Sequence, residues 1–357
     1  MAKIVTAVVG CGRLANNVHL PNLANNPDVE LRYAVDIIEE RAKAAAEKYG
    51  MKGYFTDYRK LFEDKELRAV MVITSNYAHY EITVDCLKHG LDVFCEKPMT
   101  VNYELSKKMA EAAHESGRTL EIGVCNRYNR TVEIIRDKIA SGELGKVYAV
   151  YCSFRSFRSI PGLGGEFTTK AVSGGGALID WGVHFLDLIL YALGFPKVKT
   201  VSADTSGLLG KDMKAYTYKN MWAGPPDYNG TYDVEEYVTG FIRTDKATIS
   251  LNGSWAENIN DPASTFIEFI GDKGGIKLTY GGGFTFFGTK DGKLWQETPE
   301  IKVDNMFNDM FYEELKAFVE CVNSGEHIRS YVDNNLITAQ MMQGLYDSAE
   351  LGKEVSF

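Results

Sequence analysis

The stretch KIVTAVVGCGRLA, residues 3–15, decides the fold of the first third of the chain. Its opening is a continuous apolar run rich in β-branched residues, which predicts a strand buried on both faces of a sheet. The glycine loop that follows reads G-x-G-x-x-A, with Gly10, Gly12 and Ala15. In such a loop the first glycine permits a tight turn, the second lets the backbone approach a pyrophosphate, and a small third residue lets helix pack on strand. The stretch therefore predicts a dinucleotide-binding strand–turn–helix unit.

Strand and helix patterns alternate through the residues that follow. Further apolar strand runs stand at 31–35, 69–74, 92–95 and 119–124, and helical patterns at 39–50, 80–90 and 104–117. Strands that alternate with helices of this length predict βαβ units and a parallel sheet. We expect this α/β dinucleotide-binding domain to occupy residues 1–124.

A carboxylate stands where a dinucleotide's ribose would bind. Asp36 follows the second strand, 24 residues beyond Gly12. A carboxylate there accepts hydrogen bonds from the adenosine ribose and repels a 2′-phosphate, so we expect NAD rather than NADP. Two alternatives remain at this point: Asp36 is simply solvated, or Arg41 reaches a 2′-phosphate.

Two polar stretches end later strands at the same edge of the predicted sheet. Ligands of open α/β sheets bind beyond the carboxyl ends of the strands. TSNYAH (74–79) and CEKPMT (95–100) supply candidate cofactor contacts, which join Arg13 and Leu14 of the glycine loop: Thr74, Asn76, His79, Glu96 and Lys97. Pro98 keeps Lys97 extended, which can aim its ammonium at the ligand. The alternative is a surface lysine before a proline kink.

Composition excludes several classes of function. The chain has 357 residues, which favours two domains, and a formal net charge of −9, which disfavours nucleic acid or an anionic membrane as a partner. No apolar run is long enough for a membrane span, and the N-terminus lacks the pattern of a signal peptide.

The six cysteines form no CxxC pair, so we expect reduced thiols in a cytoplasm. The histidines lack metal-ligand spacing and no GxSxG occurs, so we expect no metal and no serine hydrolase.

After residue 124 the alternation stops, and we expect an α+β second domain over 125–357. Strand patterns at 146–157, 235–244, 246–255, 264–271, 274–280 and 284–288 are separated by Gly, Asp and Asn turns. They predict an antiparallel sheet covered on one face, with helical patterns at 131–145, 310–325 and 334–352. The last helices are candidates for packing back on the first domain. Segment 205–233 is polar and aromatic, and is either a lid or rim loop or a solvated excursion.

An apolar helix in the second domain carries acid–base groups. GGGALIDWGVHFLDLILYALG, residues 174–194, places Asp180 and His184 four residues apart, on one face of a helix. A histidine is the natural group to take a proton near neutral pH, and a carboxylate one turn away can orient it or hold a substrate hydroxyl. The alternative is a buried Asp–His hydrogen bond that stiffens a core helix.

Taken together, GCGRLANNVHLPNL, TSNYAH, CEKPMT and GGGALIDWGVHFLDL resemble the Gfo/Idh/MocA family of nicotinamide-dependent sugar and cyclitol oxidoreductases over nearly the whole chain. The resemblance implies an N-terminal Rossmann domain, and a C-terminal domain with a large, mostly antiparallel open sheet through which members assemble as homodimers or homotetramers. It implies that Lys97 binds substrate and cofactor, and that Asp180 and His184 line the substrate cleft. It also suggests that Arg127 touches substrate.

These observations lead to a prediction of function. We expect an NAD-dependent enzyme that moves a hydride between a carbinol carbon of a sugar, glycoside or cyclitol and nicotinamide. His184 is the expected acid/base, Asp180 its orienter and a substrate acceptor, and Lys97 an electrostatic helper, although the roles of Lys97 and His184 are exchangeable. Arg155 and Trp181 are further candidates for substrate contact. Two alternatives are glycoside cleavage or epimerisation with recycled bound NAD, and a non-catalytic dinucleotide or sugar sensor.

Overall fold

A computed structural model describes residues 3–219, 221–260, 265–301 and 306–357. The chain forms two compact units. The first unit is Met1–Tyr128 with Asn305–Leu336, and the second is Asn129–Asp304 with Ile337–Phe357. The boundary expected from the sequence, between residues 124 and 125, lies shortly before Tyr128.

The helices follow the predicted order along the chain. They are α1 (Leu20–Asn25), α2 (Glu39–Tyr49), α3 (His79–Lys88), α4 (Tyr103–Ser116), α5 (Arg130–Ala140), α6 (Lys170–Ser173), α7 (Val183–Ala192), α8 (Met306–Ser324) and α9 (Val332–Leu351). Short 3₁₀ turns span Tyr58–Glu63, Asn76–Ala78, Cys125–Tyr128 and Glu166–Thr168, and π-helical turns span Ala15–His19 and Leu178–Gly182. Local chemistry sets the ends of α4, since the Asn102 side chain accepts from the amide of Leu105 and Gly117 closes the helix with a positive φ of 63°.

The first unit contains a six-stranded parallel sheet. Its strands are β1 (Ile4–Val9), β2 (Val29–Val35), β3 (Gly53–Phe55), β4 (Ala69–Val72), β5 (Asp92–Glu96) and β6 (Leu120–Gly123). They lie in the order β3-β2-β1-β4-β5-β6, and every neighbouring pair is parallel. The predicted Rossmann-type sheet is confirmed, and the order reverses beside β1, where the glycine loop begins.

The second unit contains a nine-stranded mixed sheet. Its strands are β7 (Val147–Phe154), β8 (Val198–Ser206), β9 (Tyr237–Thr244), β10 (Thr248–Ser254), β11 (Thr265–Gly271), β12 (Gly274–Thr279), β13 (Phe284–Lys290), β14 (Lys293–Glu297) and β15 (Val355–Ser356). They lie in the order β14-β13-β12-β11-β7-β10-β9-β8-β15. Only β7 and β10 pair in parallel among these neighbours, so the predicted mostly antiparallel sheet is confirmed.

Helices cover one face of this second sheet. The apolar side chains of α5, α7 and α9 share one core with the inward-facing residues of β7 to β13, and α7 is buried along almost its whole length. Large aromatic side chains remain exposed on other strand positions, among them Tyr148, Tyr151, Phe241 and Phe287. Polar side chains stand between these rings, since Glu268 of β11 lies opposite Tyr151 and forms an ion pair with Lys277 of β12.

Among its described residues, segment 205–233 is anchored at a few side chains and is otherwise half-buried or exposed. Its first two residues end β8, and Tyr216 is buried in a cluster with Ile160, Leu163 and Trp255 of the same unit. The segment therefore packs around the residues that lead into the π-helical turn at Leu178, since Ala177 belongs to the same cluster. Residue 220 of this segment, and residue 264 at the start of one predicted strand, lie outside the described residues.

All six cysteines are buried free thiols. Among the described residues, no helix combines the length and the apolar character that crossing a membrane requires.

Candidate active site

The glycine loop has the shape that a dinucleotide needs. Gly10 has a φ of +95°, and a Cβ there would overlap the carbonyl oxygen of Ile73. A Cβ on Gly12 would meet nothing within 4 Å, so the space above it is open to a ligand. Asn16, which sequence reasoning missed, donates its amide to the carbonyl oxygens of Cys11 (2.7 Å) and Gly12 (2.9 Å). Those carbonyls are thereby held within the loop, which suits a phosphate that binds backbone amides. Arg13 is exposed, and Leu14 is half-buried.

Asp36 directly follows β2, beside this loop. Its Oδ2 accepts from the amide of Cys11 at 2.8 Å, and its Oδ1 accepts from the amide of Ile38 at 2.9 Å. Each carboxylate oxygen has a second lone pair, so the oriented carboxylate can still accept from a ribose hydroxyl. The next side chain, Ile37, is 85% exposed and offers an apolar surface beside that ribose position. The residues of this loop and strand end therefore fit NAD.

His79 is committed to the protein backbone. Its side chain is fully buried, with Nδ1 2.8 Å from the Pro98 carbonyl oxygen and Nε2 3.1 Å from the Thr74 carbonyl oxygen. Burial lowers the pKa of His79, which favours the neutral ring. The imidazole joins the segments that follow β4 and β5, which argues against the direct cofactor contact predicted from the sequence. We treat His79 as a positioning residue. Thr74 and Asn76 remain half-buried candidates.

Lys97 stands directly after β5 and is half-buried, before a cis Lys97–Pro98 peptide. Glu96 is buried, its Oε2 accepts from the Lys97 amide at 3.0 Å, and its Oε1 lies 2.7 Å from Nε2 of His19. The Glu96 carboxylate is thus engaged by the protein, and its predicted contact with cofactor stays a prediction. His19 was missed, and its only signal in the sequence is that it follows the glycine loop on the same helix.

Arg127 is a structural residue of the first unit. Its side chain is fully buried, and its guanidinium donates to the carbonyl oxygen of Arg329 and, at 3.1 Å, to Oδ1 of Asn335. The guanidinium therefore ties the 3₁₀ turn after β6 to α9 and to the segment before it. This enclosure favours a structural role, and the substrate contact suggested for Arg127 stays a prediction.

Arg155 follows β7 in the second unit and lies in an ion pair. Its Nη2 donates to Oε2 of Glu257 at 2.6 Å and its Nε donates to Oε1 at 3.2 Å, in the two-pronged geometry that arginine favours. The side chain is 41% exposed. Its accessible edge keeps it among the candidates for substrate contact.

Asp180, Trp181 and His184 share the accessible side of an otherwise buried helix. Each is half-buried, whereas the neighbouring Ile179 and Val183 belong to the core. The helix is not regular as predicted, because residues Leu178–Gly182 form a π-helical turn. Such wide turns are frequent at functional sites, since they redirect side chains without breaking the helix.

Glu235 fixes the start of this helix, and sequence reasoning missed it. The buried carboxylate accepts from the amides of Gly176 (2.9 Å) and Leu178 (3.0 Å) and from the hydroxyl of Tyr346 (2.9 Å). Burial raises the pKa of Glu235. A Cβ on Gly175 would overlap the Tyr346 hydroxyl, and a Cβ on Gly176 would overlap the Glu235 carbonyl oxygen. Close packing therefore requires these glycines. In the sequence, the glycine run was the one indication that other residues pack tightly against this helix start.

One group of side chains has donor atoms that could surround a cation. Glu121, Cys321 and His327 of the first unit each place one such atom within 4.8 Å of the others. Burial raises the pKa of Glu121 to about 8, so this carboxyl keeps its proton at neutral pH. A protonated acid is a poor metal ligand, and we assign no ion to this group.

The chain matches known proteins along its whole length. A model of an oxidoreductase family with an NAD-binding Rossmann fold matches residues 4–124, and a model of the GFO/IDH/MocA C-terminal domain matches residues 132–277. The D-glucoside 3-dehydrogenase of Escherichia coli (strain K12) is 31% identical over 350 residues, which cover 98% of this chain and 96% of that protein.

Two further similarities agree with this. The myo-inositol 2-dehydrogenase of Thermotoga maritima is 26% identical over 324 residues, which cover 89% of this chain and 88% of that enzyme. The crystal structure of GenD2 from gentamicin A biosynthesis in complex with NAD superposes with a TM-score of 0.81 at 27% identity, and covers 100% of this chain and 97% of that one.

Proposed function

The chain belongs to the GFO/IDH/MocA family of oxidoreductases, as its motifs predict, and on that premise we propose its substrate class, the roles of its residues and its cofactor preference. It is an NAD-dependent enzyme that transfers a hydride between a carbinol carbon of a sugar, glycoside or cyclitol and nicotinamide. The observation that carries the assignment of roles is that Asp180 and His184 share the accessible side of a buried helix.

Oxidation of a carbinol removes a hydride and a proton. The carbon loses a hydride and the hydroxyl loses a proton, which leaves a carbonyl group. When bound, NAD accepts the hydride. We assign His184 as the base that accepts this proton, because imidazole exchanges protons near neutral pH. In the reverse reaction the same imidazole donates the proton to the carbonyl oxygen.

Two charged groups assist this transfer. Asp180 orients the imidazole or holds a neighbouring substrate hydroxyl, since it lies four residues before His184 and shares its accessible side of the helix. Lys97 contributes positive charge that stabilises alkoxide character on the reacting oxygen. Its backbone amide is held by Glu96, which supports a fixed position for the ammonium.

We propose that the substrate is a D-glucoside oxidised at C3. The support is the full-length similarity to the D-glucoside 3-dehydrogenase of Escherichia coli, which exceeds the identity to the Thermotoga maritima inositol dehydrogenase. Trp181 lies next to Asp180 and is half-buried, so its indole offers an aromatic face for a pyranose ring. Arg155 is the further candidate for substrate contact.

We propose NAD as the preferred cofactor over NADP. Asp36 is oriented by two backbone amides, and a carboxylate in that place repels a 2′-phosphate. Ile37 and Ile38 follow it, so the two positions directly after the carboxylate supply no positive charge for a phosphate.

We further propose a homodimer or homotetramer that forms through the exposed face of the second sheet, and a location in the cytoplasm. The exposed aromatic residues of β7, β9 and β13 support the first proposal, and the buried free thiols agree with the second.

The test mixes the protein with NAD and a panel of methyl α- and β-D-glucosides, free hexoses and inositols, and follows NADH absorbance. We expect NADH to appear with the glucosides, and nuclear magnetic resonance of the product to show a ketone at C3. His184→Ala should lower kcat by about 10²- to 10⁴-fold. His114→Ala, a change at an exposed histidine of α4, is the matched control and should keep wild-type kcat.

Three outcomes separate the possibilities. NADH formed only with inositols would overturn the glucoside assignment but leave the hydride transfer intact. Glycoside consumed without net NADH would indicate recycling of bound NAD. An unchanged rate in His184→Ala would remove that residue as the acid/base.

A further inference from the structure

A buried pair of side chains links the helix after the glycine loop to the amide of Lys97. His19 closes the π-helical turn Ala15–His19, and its Nε2 lies 2.7 Å from Oε1 of Glu96. The second oxygen of the same carboxylate accepts from the Lys97 amide at 3.0 Å. The Glu96 carboxylate therefore connects His19, 77 residues earlier in the chain, with the amide of the residue that follows it, Lys97.

The surroundings of His19 fix the direction of this hydrogen bond. The side chain is fully buried, and its ring packs against Phe94 and Phe311, each with its centroid 5.7 Å away. Nδ1 has no hydrogen-bond partner among the described residues. A hydrogen on Nδ1 would be an unsatisfied buried donor, whereas a hydrogen on Nε2 donates to Glu96. The ring therefore carries its hydrogen on Nε2.

Alternatives to this bond are costly. The Glu96 side chain is only 5% exposed, so a carboxylate oxygen that lost His19 would have little access to water. The residue would then turn toward another donor, and the Lys97 amide would lose its acceptor geometry. Because that amide belongs to the residue that carries the ammonium, a shift of Glu96 moves the point from which the Lys97 side chain starts.

We propose that His19 is a positioning residue for Lys97, and that it acts through Glu96. The His19–Glu96 pair connects the backbone at Lys97 to the helical turn that follows the glycine loop. The position of Lys97 relative to that loop is thereby fixed. This inference rests on the proposed role of Lys97 in the reaction. It assigns His19 no contact with substrate or cofactor.

The experiment compares three variants of the full-length protein. His19→Leu removes the donor and keeps an apolar side chain, whereas His19→Gln places an amide N–H where it can still reach Glu96. Leu23→Ala is the matched control, because Leu23 is a buried core residue of α1 that lies outside the pair. Each variant is measured for melting temperature, kcat, KM for NAD and the primary deuterium isotope effect on kcat.

We expect His19→Leu to lower kcat by about tenfold to a hundredfold, as a displaced charged group does, with a much smaller change in KM. The isotope effect should rise, because hydride transfer becomes slower relative to product release. His19→Gln should recover most of the lost kcat. Leu23→Ala should lower the melting temperature and keep kcat. Wild-type kcat in His19→Leu, or an equal loss in Leu23→Ala, would overturn the proposal.

A second readout does not depend on turnover. Trace acetylation with acetic anhydride, followed by peptide mass spectrometry, reports the reactivity of individual lysines. His19→Leu should change the acetylation rate of Lys97 and leave that of Lys138 unchanged. If wild-type protein turns over no substrate of the panel, the proposed function fails, yet an altered Lys97 rate still supports the positioning role. An unaltered Lys97 rate overturns it in either case.

Discussion

Asp36 is the side chain that we expect to decide between NAD and NADP. Asp36→Ala should remove the proposed charge-assisted hydrogen bond to the adenosine ribose, worth about 1.5–3 kcal/mol, and also the repulsion of a 2′-phosphate. The ratio of kcat/KM for NAD to that for NADP should therefore fall by about tenfold to a hundredfold. Because Asp36 also holds the amides of Cys11 and Ile38, loop damage would lower both values. The ratio cancels that damage, and an unchanged ratio would show that Asp36 does not discriminate.

Glu121 gives a pH dependence of stability that can be measured without substrate. Burial raises the pKa of this carboxyl from 4.5 to about 8, so between these values the folded state holds a proton that the unfolded state has lost. The contribution of Glu121 to the free energy of unfolding should therefore fall as pH rises from 4.5 to about 8. The readout is the melting temperature as a function of pH, which should fall less steeply over this range in Glu121→Gln than in the wild-type protein. Glu115→Gln, an exposed change on α4, should keep the wild-type slope, and a wild-type slope in Glu121→Gln would contradict the assignment.

Single residues were the level at which sequence reasoning was least reliable. Gly10 and Asp36 stand where their motif predicts, because backbone conformation and strand ends constrain such positions. His79, Glu96 and Arg127 were predicted to contact ligands, and the structure shows that each also binds the protein's own groups. A polar side chain in a motif has the same letter whether it faces a ligand or a buried carbonyl, so its direction becomes known only from the packed structure.

The helix that carries Asp180 and His184 should be sensitive to the volume at its start. In Gly176→Ala the new Cβ would overlap the Glu235 carbonyl oxygen, so the π-helical turn must shift. We expect kcat to fall by about tenfold or more, because a small displacement of catalytic groups is costly. NADH affinity, measured by fluorescence, should stay near wild type, because the glycine loop belongs to the other unit.

A matched glycine supplies the control for that experiment. A Cβ on Gly165 would meet nothing within 4 Å, so Gly165→Ala should keep wild-type kcat. If Gly176→Ala also keeps wild-type kcat, the helix start is not a determinant of the site. If it loses NADH binding in parallel with kcat, the change has disturbed the whole chain.

Strands with a continuous apolar run were predicted well, whereas β8 was missed although Val198 and Val201 belong to the core. The parallel strands β1, β2, β4 and β5 are nearly continuous apolar runs, which the sequence displays directly. By contrast β14 lies at the sheet edge with charged, exposed residues, and β3 has three residues. The π-helical turn was not predicted either, since a single wide turn barely alters the apolar period of a helix.

At the scale of the whole molecule, composition and alternation predicted two folding units of different sheet type, and both sheets are present. The return of segment 305–336 to the first unit was left open by the sequence. Amphipathic helices at the end of a chain show that they pack on something, but the partner surface lies far away in sequence. Long-range packing of this kind therefore required coordinates.

The exposed sheet face gives a prediction about assembly. Tyr151 of β7 and Phe241 of β9 both lie opposite Ser250 of β10, so the two aromatic rings stand in one row across three strands. They are 49% and 36% exposed in a single chain, and burial in an interface would stabilise an oligomer. We expect the wild-type protein to sediment as a dimer or tetramer, and Tyr151→Glu/Phe241→Glu to sediment as a monomer, because association would bury unpaired charges. Leu208→Glu, at a 77% exposed leucine outside the sheet, should leave the wild-type assembly intact. A wild-type monomer, or a double variant that keeps the wild-type mass in analytical ultracentrifugation, would place the interface elsewhere or remove it.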